Sequence, residues 1–367
     1  MARQAKSTAE TASAGVKASS KNFDLKKFKK SKYLAGASVK FKPQEWIPAS
    51  GALQDILSLP GIPHGHITLI RGHSDTGKTT QLLEVAVEAQ KKGIMPVFII
   101  TEMKWNWEHA IQMGLEVEEI VDENTGEIVD YDGFFIYADR GNLNTIEDVA
   151  SFIMDLLDEQ KKGNLPYDLC FLWDSIGSIP CEMSIKSNKN SNEWNAGAMS
   201  VQFGGQVNQR ILLSRKESYP YTNSLVAINK IWTLKPASPM EKPKMKNKNG
   251  ETMFFDSSLI ITYGNITNAG TSKINAVKDG KKVEFAKRTK VQVEKNHING
   301  VTTTGRIIMT PHGFINDDPK EVNAYKAEHS SEWLNILGEG GGPIEVTIEN
   351  IVEEDIPTQN EDKLLDE

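Results

Sequence analysis

One octapeptide limits the fold of this chain more than any other feature. Gly72-His73-Ser74-Asp75-Thr76-Gly77-Lys78-Thr79 fits the phosphate-loop pattern G-x-x-x-x-G-K-[ST] without mismatch. It follows a short apolar run, Ile67-Thr68-Leu69-Ile70. It opens a stretch, Thr80 to Lys92, whose apolar residues Leu82, Leu83, Ala86, Val87 and Ala89 fall at helical spacing. A strand, a glycine-containing turn and a helix are the parts such an anion site needs. Glycines let backbone N–H groups turn inward around phosphate oxygens, and the helix N-terminus adds its partial positive charge. His73, Ser74, Asp75, Thr76 and Thr80 complete the loop between and beyond the two glycines. Lys78 is expected to reach the β- and γ-phosphates of a nucleoside triphosphate, and the Thr79 hydroxyl to ligate Mg²⁺.

The rest of the pattern predicts an α/β fold: a mostly parallel central sheet covered by helices. After Gly93 come a strand over Pro96–Thr101 and a helix over Trp107–Met113. An inserted hairpin is expected around 122–132, then a strand over Phe134–Tyr137. A helix over Thr145–Gln160 starts at a Thr cap with Asp148 three residues on. Leu169–Trp173 reads as an apolar strand, Gln202–Arg215 as a helix and Ser224–Ile228 as a buried strand. Residues 233–252, rich in Lys and Pro, read as a loop, and strands over Ser258–Tyr263, Thr289–Glu294 and Gly305–Thr310 close the series. Two acids end strands beside the phosphate loop. Asp174, at the end of the Leu169–Trp173 run, is placed to hold the Mg²⁺ shell, and Glu102, after Val97–Thr101, to orient the water that attacks the γ-phosphate.

Charge divides the 367 residues into three parts. Residues 1–33 carry nine Lys and Arg against two acids, for +7, and residues 317–367 carry three Lys against fifteen acids, for −12. We therefore expect a basic N-terminal arm over 1–33, a core over 34–320, and a short helix with an acidic tail over 321–367. No apolar run approaches the roughly 20 residues that span a bilayer. No apolar segment follows the basic start, and Cys170 and Cys181 are too few for a disulfide framework or a four-cysteine zinc site. These features lead us to expect a cytoplasmic protein that does not engage a membrane.

Over roughly residues 45–316 the chain resembles the RecA family of ATP-dependent recombinases, including its phage-encoded, UvsX-like branch. The residues that carry the resemblance are Leu59-Pro60-Gly61-Ile62-Pro63-His64-Gly65-His66 leading into the strand and phosphate loop, then Thr79-Thr80-Gln81-Leu82. Glu102 also falls at the family's catalytic glutamate, and Trp173-Asp174-Ser175 at its Asp-Ser. The resemblance implies a RecA-like ATPase core in which His109 stands at the adenine-stacking position, with Trp105 and Trp107 as alternatives. It implies a γ-phosphate sensor after Leu225-Val226-Ala227-Ile228-Asn229. The family commonly has Gln there, and here the residue is Lys230, or Asn229 if the register is one earlier. It also implies that Lys295, in Val293-Glu294-Lys295-Asn296-His297, reaches ATP on the next subunit, with His297 as a second basic residue.

DNA contacts in the family come from two loops, which map here to residues 180–201 and 230–252. The first holds Lys186, Lys189 and Trp194. The second holds Lys235, Lys242, Lys244, Lys246 and Lys248 and leads to Phe254. Arg210, on the helix between them, joins that set. Lysines on such loops suit sequence-independent tracking of phosphates, and aromatic rings can stack on bases. The implied partners are single-stranded DNA, then duplex DNA, further copies of the chain in a helical filament, and single-strand-binding or loader proteins. A RecA-fold helicase or motor, and a non-strand-exchanging ATP switch assisting a partner recombinase, are the competing readings.

Overall fold

The computed structural model describes residues 40–234, 244–264, 272–278 and 281–335, together with Asp24, Lys27 and Ile266. Apart from Asp24 and Lys27, the basic arm lies outside the described residues, as do Lys235, Lys242 and the acidic tail beyond residue 335.

A short antiparallel pair, β1 (Trp46–Pro48) and β2 (Gly61–Pro63), brackets helix α1 (Gly51–Leu57). Gly61 cannot be exchanged here, because a Cβ would stand 2.0 Å from the Ile47 carbonyl oxygen. Strand β3 (Ile67–Gly72) follows, then helix α2 (Lys78–Lys91), β4 (Met95–Ile100), α3 (Trp107–Gln112), the hairpin β5 (Glu118–Val121) and β6 (Ile128–Asp132), and β7 (Ile136–Asp139). The long helix α4 (Ile146–Lys162) starts at the expected cap. The Thr145 hydroxyl accepts the Asp148 N–H, and the Asp148 carboxylate accepts the Thr145 N–H, which together satisfy two otherwise orphaned donors. Strand β8 (Leu169–Asp174) leads to α5 (Glu182–Lys186), α6 (Asn192–Met199) and α7 (Asn208–Leu213).

The helix expected over Gln202–Arg215 is present but not regular. Its first part, Ser200–Val207, has the wider π-helical turns. Beyond it are β9 (Asn223–Leu234), β10 (Lys244–Asn247), α8 (Thr252–Asp256), β11 (Leu259–Gly264), β12 (Lys273–Lys278), β13 (Lys281–Asn296), β14 (Thr304–Thr310), β15 (Gly313–Asn316), α9 (Pro319–Glu328) and α10 (Ser330–Asn335). The expectation of a plain loop over 233–252 is corrected by β10, which pairs antiparallel with the end of β9, Lys246 opposite Trp232. Lys246 is exposed, while the buried Asn247 accepts from Arg71, so a polar contact orders this strand and Lys-Met-Lys-Asn carries no apolar signal.

Among the described residues, one sheet runs in the order β15-β14-β13-β11-β3-β9-β8-β4-β7. The six strands from β11 to β7 are mutually parallel, and β13, β14 and β15 extend the sheet antiparallel. Helices cover both faces. Alternate residues divide the core: Ile70, Phe98, Leu172 and Ile228 pack with Leu82, Leu83 and Ala86 of α2. Leu69, Ile99, Phe171 and Ala227 face Ile146, Val149 and Ile153 of α4. This two-sided burial explains why the central strands read as continuous apolar runs. It also places the carboxyl ends of β3, β8 and β9 side by side, where open α/β sheets bind ligands.

Candidate functional site

The phosphate loop leaves β3 at Gly72, whose φ of 152° would put a Cβ 2.3 Å from the Tyr263 carbonyl oxygen. Only glycine permits that approach. Gly77, with φ 98°, turns the chain into α2, and Phe314 and Met309 of the β14–β15 hairpin pack against it. The Thr76 hydroxyl donates to the His73 carbonyl at 2.9 Å, and the Lys78 ammonium is folded back onto the same oxygen. Burial lowers the Lys78 pKa to about 8. An anion in the loop would compete with the His73 carbonyl for this ammonium and favour its charge. Across the loop, the Thr79 hydroxyl donates to Asp174 Oδ2 at 2.8 Å. Burial pushes the Asp174 carboxyl above its usual range. This hydroxyl and carboxylate form the hard-oxygen donor pair that Mg²⁺ takes beside nucleotide phosphates, so the residues present fit that ion.

Glu102 enters the same cleft from the end of β4, where the Glu102 N–H donates to the Asp174 carbonyl at 3.0 Å. Its carboxylate accepts from Lys230 at 2.7 Å and lies 3.3 Å from the Lys104 ammonium. Burial works to raise its pKa, but the bonds and charges of Lys230 and Lys104 prevail and hold it below the usual carboxylate value. Ser74, Asp75, Lys78, Thr79, Glu102, Lys104, Trp105, Asp174 and Lys230 all line this cleft. Asn229, the other sensor candidate, is turned away from it and donates to the Lys248 carbonyl at 2.9 Å. The Lys104 contact lay beyond sequence reasoning, since a lysine two residues after an acid is ordinary surface chemistry.

The three candidates for the base separate in space. Trp105 lines the cleft, whereas Trp107 stacks on Tyr131 with ring centroids 4.7 Å apart. The His109 N–H is capped by Asn106, and its ring meets the Pro311 backbone in the turn beside the phosphate loop. Burial lowers its pKa. Lys295 lies opposite Ile260 in the sheet, and Ile260 lies beside Leu69, three residues before Gly72 and the loop. Its ammonium donates to the carbonyls of Phe254 (3.1 Å) and Phe255 (2.7 Å). His297 is exposed in the turn beyond β13.

The two candidate DNA loops are stitched together. The Asn249 side-chain amide, on a residue at φ 60°, donates to the backbone carbonyls of Ile176 and Ile179 at 2.7 and 2.9 Å, and its Oδ1 accepts from Asn195 Nδ2 at 3.1 Å. Trp194 is 38% exposed with the Lys189 ammonium 5.9 Å from its ring, and Lys186 pairs with Glu182 at 2.6 Å. Lys246 is exposed, and the Lys248 side chain covers Gly177. Two expected DNA residues are engaged elsewhere. Arg210 pairs with Asp158 of α4 at 2.6 Å, away from both loops. Phe254 lies beneath the Arg71 guanidinium, 4.8 Å from its centroid, while neighbouring Phe255 is 70% exposed. Arg71 itself was not singled out by its sequence. Buried at the start of the phosphate loop, it pairs with Glu294 and donates to Asn247 of β10 at 3.1 Å. One charge thus ties the loop, β13 and the β9–β10 ribbon.

Comparison with known proteins agrees with this geometry. Residues 16–146 match the profile of the RecA N-terminal domain. Over 96 residues the chain is 38% identical to "Protein RecA" of Aquifex aeolicus, covering 26% of this chain and 28% of that protein. It is 37% identical over 92 residues to "Protein RecA" of Marinobacter nauticus, covering 23% and 26%. It is 33% identical over 119 residues to "Protein RecA" of Streptomyces rimosus, covering 30% and 31%. The chain thus spans less than a third of the length of these relatives. The parallel sheet, the phosphate loop at the end of β3 and the matched segment thus make this chain similar to the RecA N-terminal domain over residues 16–146.

Proposed function

We propose that the chain is a DNA-dependent ATPase that polymerises on single-stranded DNA and drives homologous pairing and strand exchange with duplex DNA. The observation that carries this reading is the convergence of Lys78, Thr79, Asp174, Glu102 and Lys230 on one cleft at the ends of adjacent strands. In this reading Lys78 and the loop N–H groups hold the ATP phosphates, and Thr79 and Asp174 hold Mg²⁺. The metal supplies neutralisation of phosphate charge. Glu102 orients and polarises the attacking water, a role suited to a carboxylate kept ionised by two lysines. Lys230 contacts the γ-phosphate as a point charge. Because Lys230 lies on β9 and the ribbon β9–β10 carries Lys246 and Lys248, a γ-phosphate that draws Lys230 away from Glu102 alters the ribbon at the same time. Lys295 and His297 meet the ATP of an adjacent subunit in the filament.

The Lys230–Glu102 pair also favours a second reading, a slowly hydrolysing ATP switch, since a base held by an ammonium is a weaker base. One experiment separates them: ATP turnover with and without unstructured single-stranded DNA, on wild type and Glu102→Gln. A recombinase shows DNA-stimulated turnover that falls by at least about 100-fold in the variant. Turnover indifferent to DNA removes the recombinase reading and leaves the switch.

A further inference from the structure

Away from the cleft, two histidines and a glutamate meet at the C-terminal end of the described chain. His312 lies in the turn between β14 and β15, His329 caps the end of α9, and Glu332 is in the first turn of α10. One carboxylate oxygen, Glu332 Oε1, is 3.0 Å from His329 Nδ1 and 3.3 Å from His312 Nε2. The three ligand-type atoms all lie within 4.8 Å of one another, and the two imidazoles stack with centroids 3.9 Å apart. Tetrahedral zinc with bonds of roughly 2.0–2.1 Å holds its ligand atoms about 3.3 Å apart, close to the two spacings at Glu332, and the stacked rings have to turn out of parallel for both lone pairs to face one ion.

The surroundings allow the tautomer that such a site requires. His312 Nδ1 is 2.7 Å from the Tyr325 hydroxyl oxygen. With Nδ1–H donating to that oxygen, the Nε2 lone pair faces Glu332. This is how ligating histidines are oriented in metalloproteins. The Gln112 amide nitrogen sits 3.3 Å from both His312 Nε2 and Glu332 Oε2. A donor thus already bridges the two acceptors that a cation would satisfy together, and Gln112 has to swing aside when the ion enters.

We propose that His312, His329 and Glu332 form a site for a divalent transition metal of the Zn²⁺ class, which clamps α9 and α10 to the β14–β15 turn. Two imidazoles and one carboxylate select zinc, cobalt or nickel over the oxygen-seeking Mg²⁺ of the nucleotide cleft. The clamp is linked to the phosphate loop, because Phe314 and Met309 of the same hairpin lie against Gly77. Three protein ligands leave one position for water.

The test uses the full chain, free of any tag and of nucleotide, stripped with chelator and titrated with Co²⁺ and then Zn²⁺. Wild type should take up one Co²⁺ with visible d–d absorption that Zn²⁺ abolishes, and Zn²⁺ should raise its melting temperature. His312→Ala, His329→Ala and Glu332→Ala should each weaken binding by at least roughly 10-fold and lose the thermal shift, while Glu328→Ala on the same helix should retain both. If His312→Ala fails to fold, His329→Ala at the helix end carries the comparison. Zn²⁺ affinity and melting shift unchanged in the folded histidine variants would overturn the proposal, as would no uptake by wild type.

Discussion

At the scale of single residues, the candidate cleft joins groups that are neighbours in the chain to groups that only the fold brings together. Gly72 to Thr79 belong to the first kind, since the phosphate-loop pattern is contiguous in the chain. Glu102 and Lys230, 128 residues apart, pair only once β4 and β9 stand in one sheet. Glu84 makes the same point. In the sequence it is one polar position in α2, yet it is half-buried with its carboxylate turned inward, Oε1 accepting the Ser50 N–H at 2.7 Å and Oε2 shut from solvent without a partner. Burial raises its pKa from 4.5 to about 7. Between those values the native chain holds a proton that the unfolded chain has lost, so wild-type stability falls as pH rises through that window. Glu84→Gln is neutral throughout and has no such slope. In urea unfolding, the variant should match wild type near pH 4.5 and gain about 2–3 kcal/mol on it by pH 8. Parallel pH profiles would show that Glu84 ionises in the native state as it does in water.

At the scale of elements, hydrophobic pattern located the buried strands and the capped helix α4, because burial on both faces makes a strand a continuous apolar run and burial on one face gives a helix a period of 3.6. It failed where buried groups are polar. The β9–β10 ribbon has Lys230 on one strand and Lys246 and the buried Asn247 on the other, and the polar stretch 180–201 hid α5 and α6, whose buried residues include Ser184 and Asn195. What orders these elements is polar rather than apolar: Asn249 bonds to the backbone after β8 and to Asn195 of α6. Its φ of 60° suits Asn or Gly and strains most other residues. Asn249→Gly keeps that conformation and removes only the amide, leaving two buried carbonyls without a donor. It should lower unfolding free energy by about 1–3 kcal/mol and uncouple the loops, so that saturating single-stranded DNA stimulates ATP turnover less than in wild type. A stability loss with undiminished stimulation would mean that the loops respond to DNA independently.

At the scale of the whole molecule, the sheet separates two groups that the family resemblance assigns to one reaction. Lys78 stands at the carboxyl end of β3. Lys295 lies level with Leu69 nearer its other end, held by the carbonyls of Phe254 and Phe255. A head-to-tail assembly joins unlike surfaces of successive copies, so it can bring the Lys295 of one chain to the phosphates of the next. That arrangement has a consequence in mixtures. Lys78→Ala lacks a working loop but retains Lys295, and Lys295→Ala retains the loop but offers nothing to its neighbour. Each alone should be nearly inactive on single-stranded DNA. In a random equal mixture, roughly a quarter of the interfaces pair an intact loop with an intact Lys295, and turnover should return in that proportion. If Lys295→Ala alone keeps wild-type turnover, or the mixture stays as inactive as its parts, Lys295 acts only within its own chain, fastening α8 to the sheet. The ATP site would then be complete in a single subunit, and DNA would gate it through the ribbon and Lys230 alone.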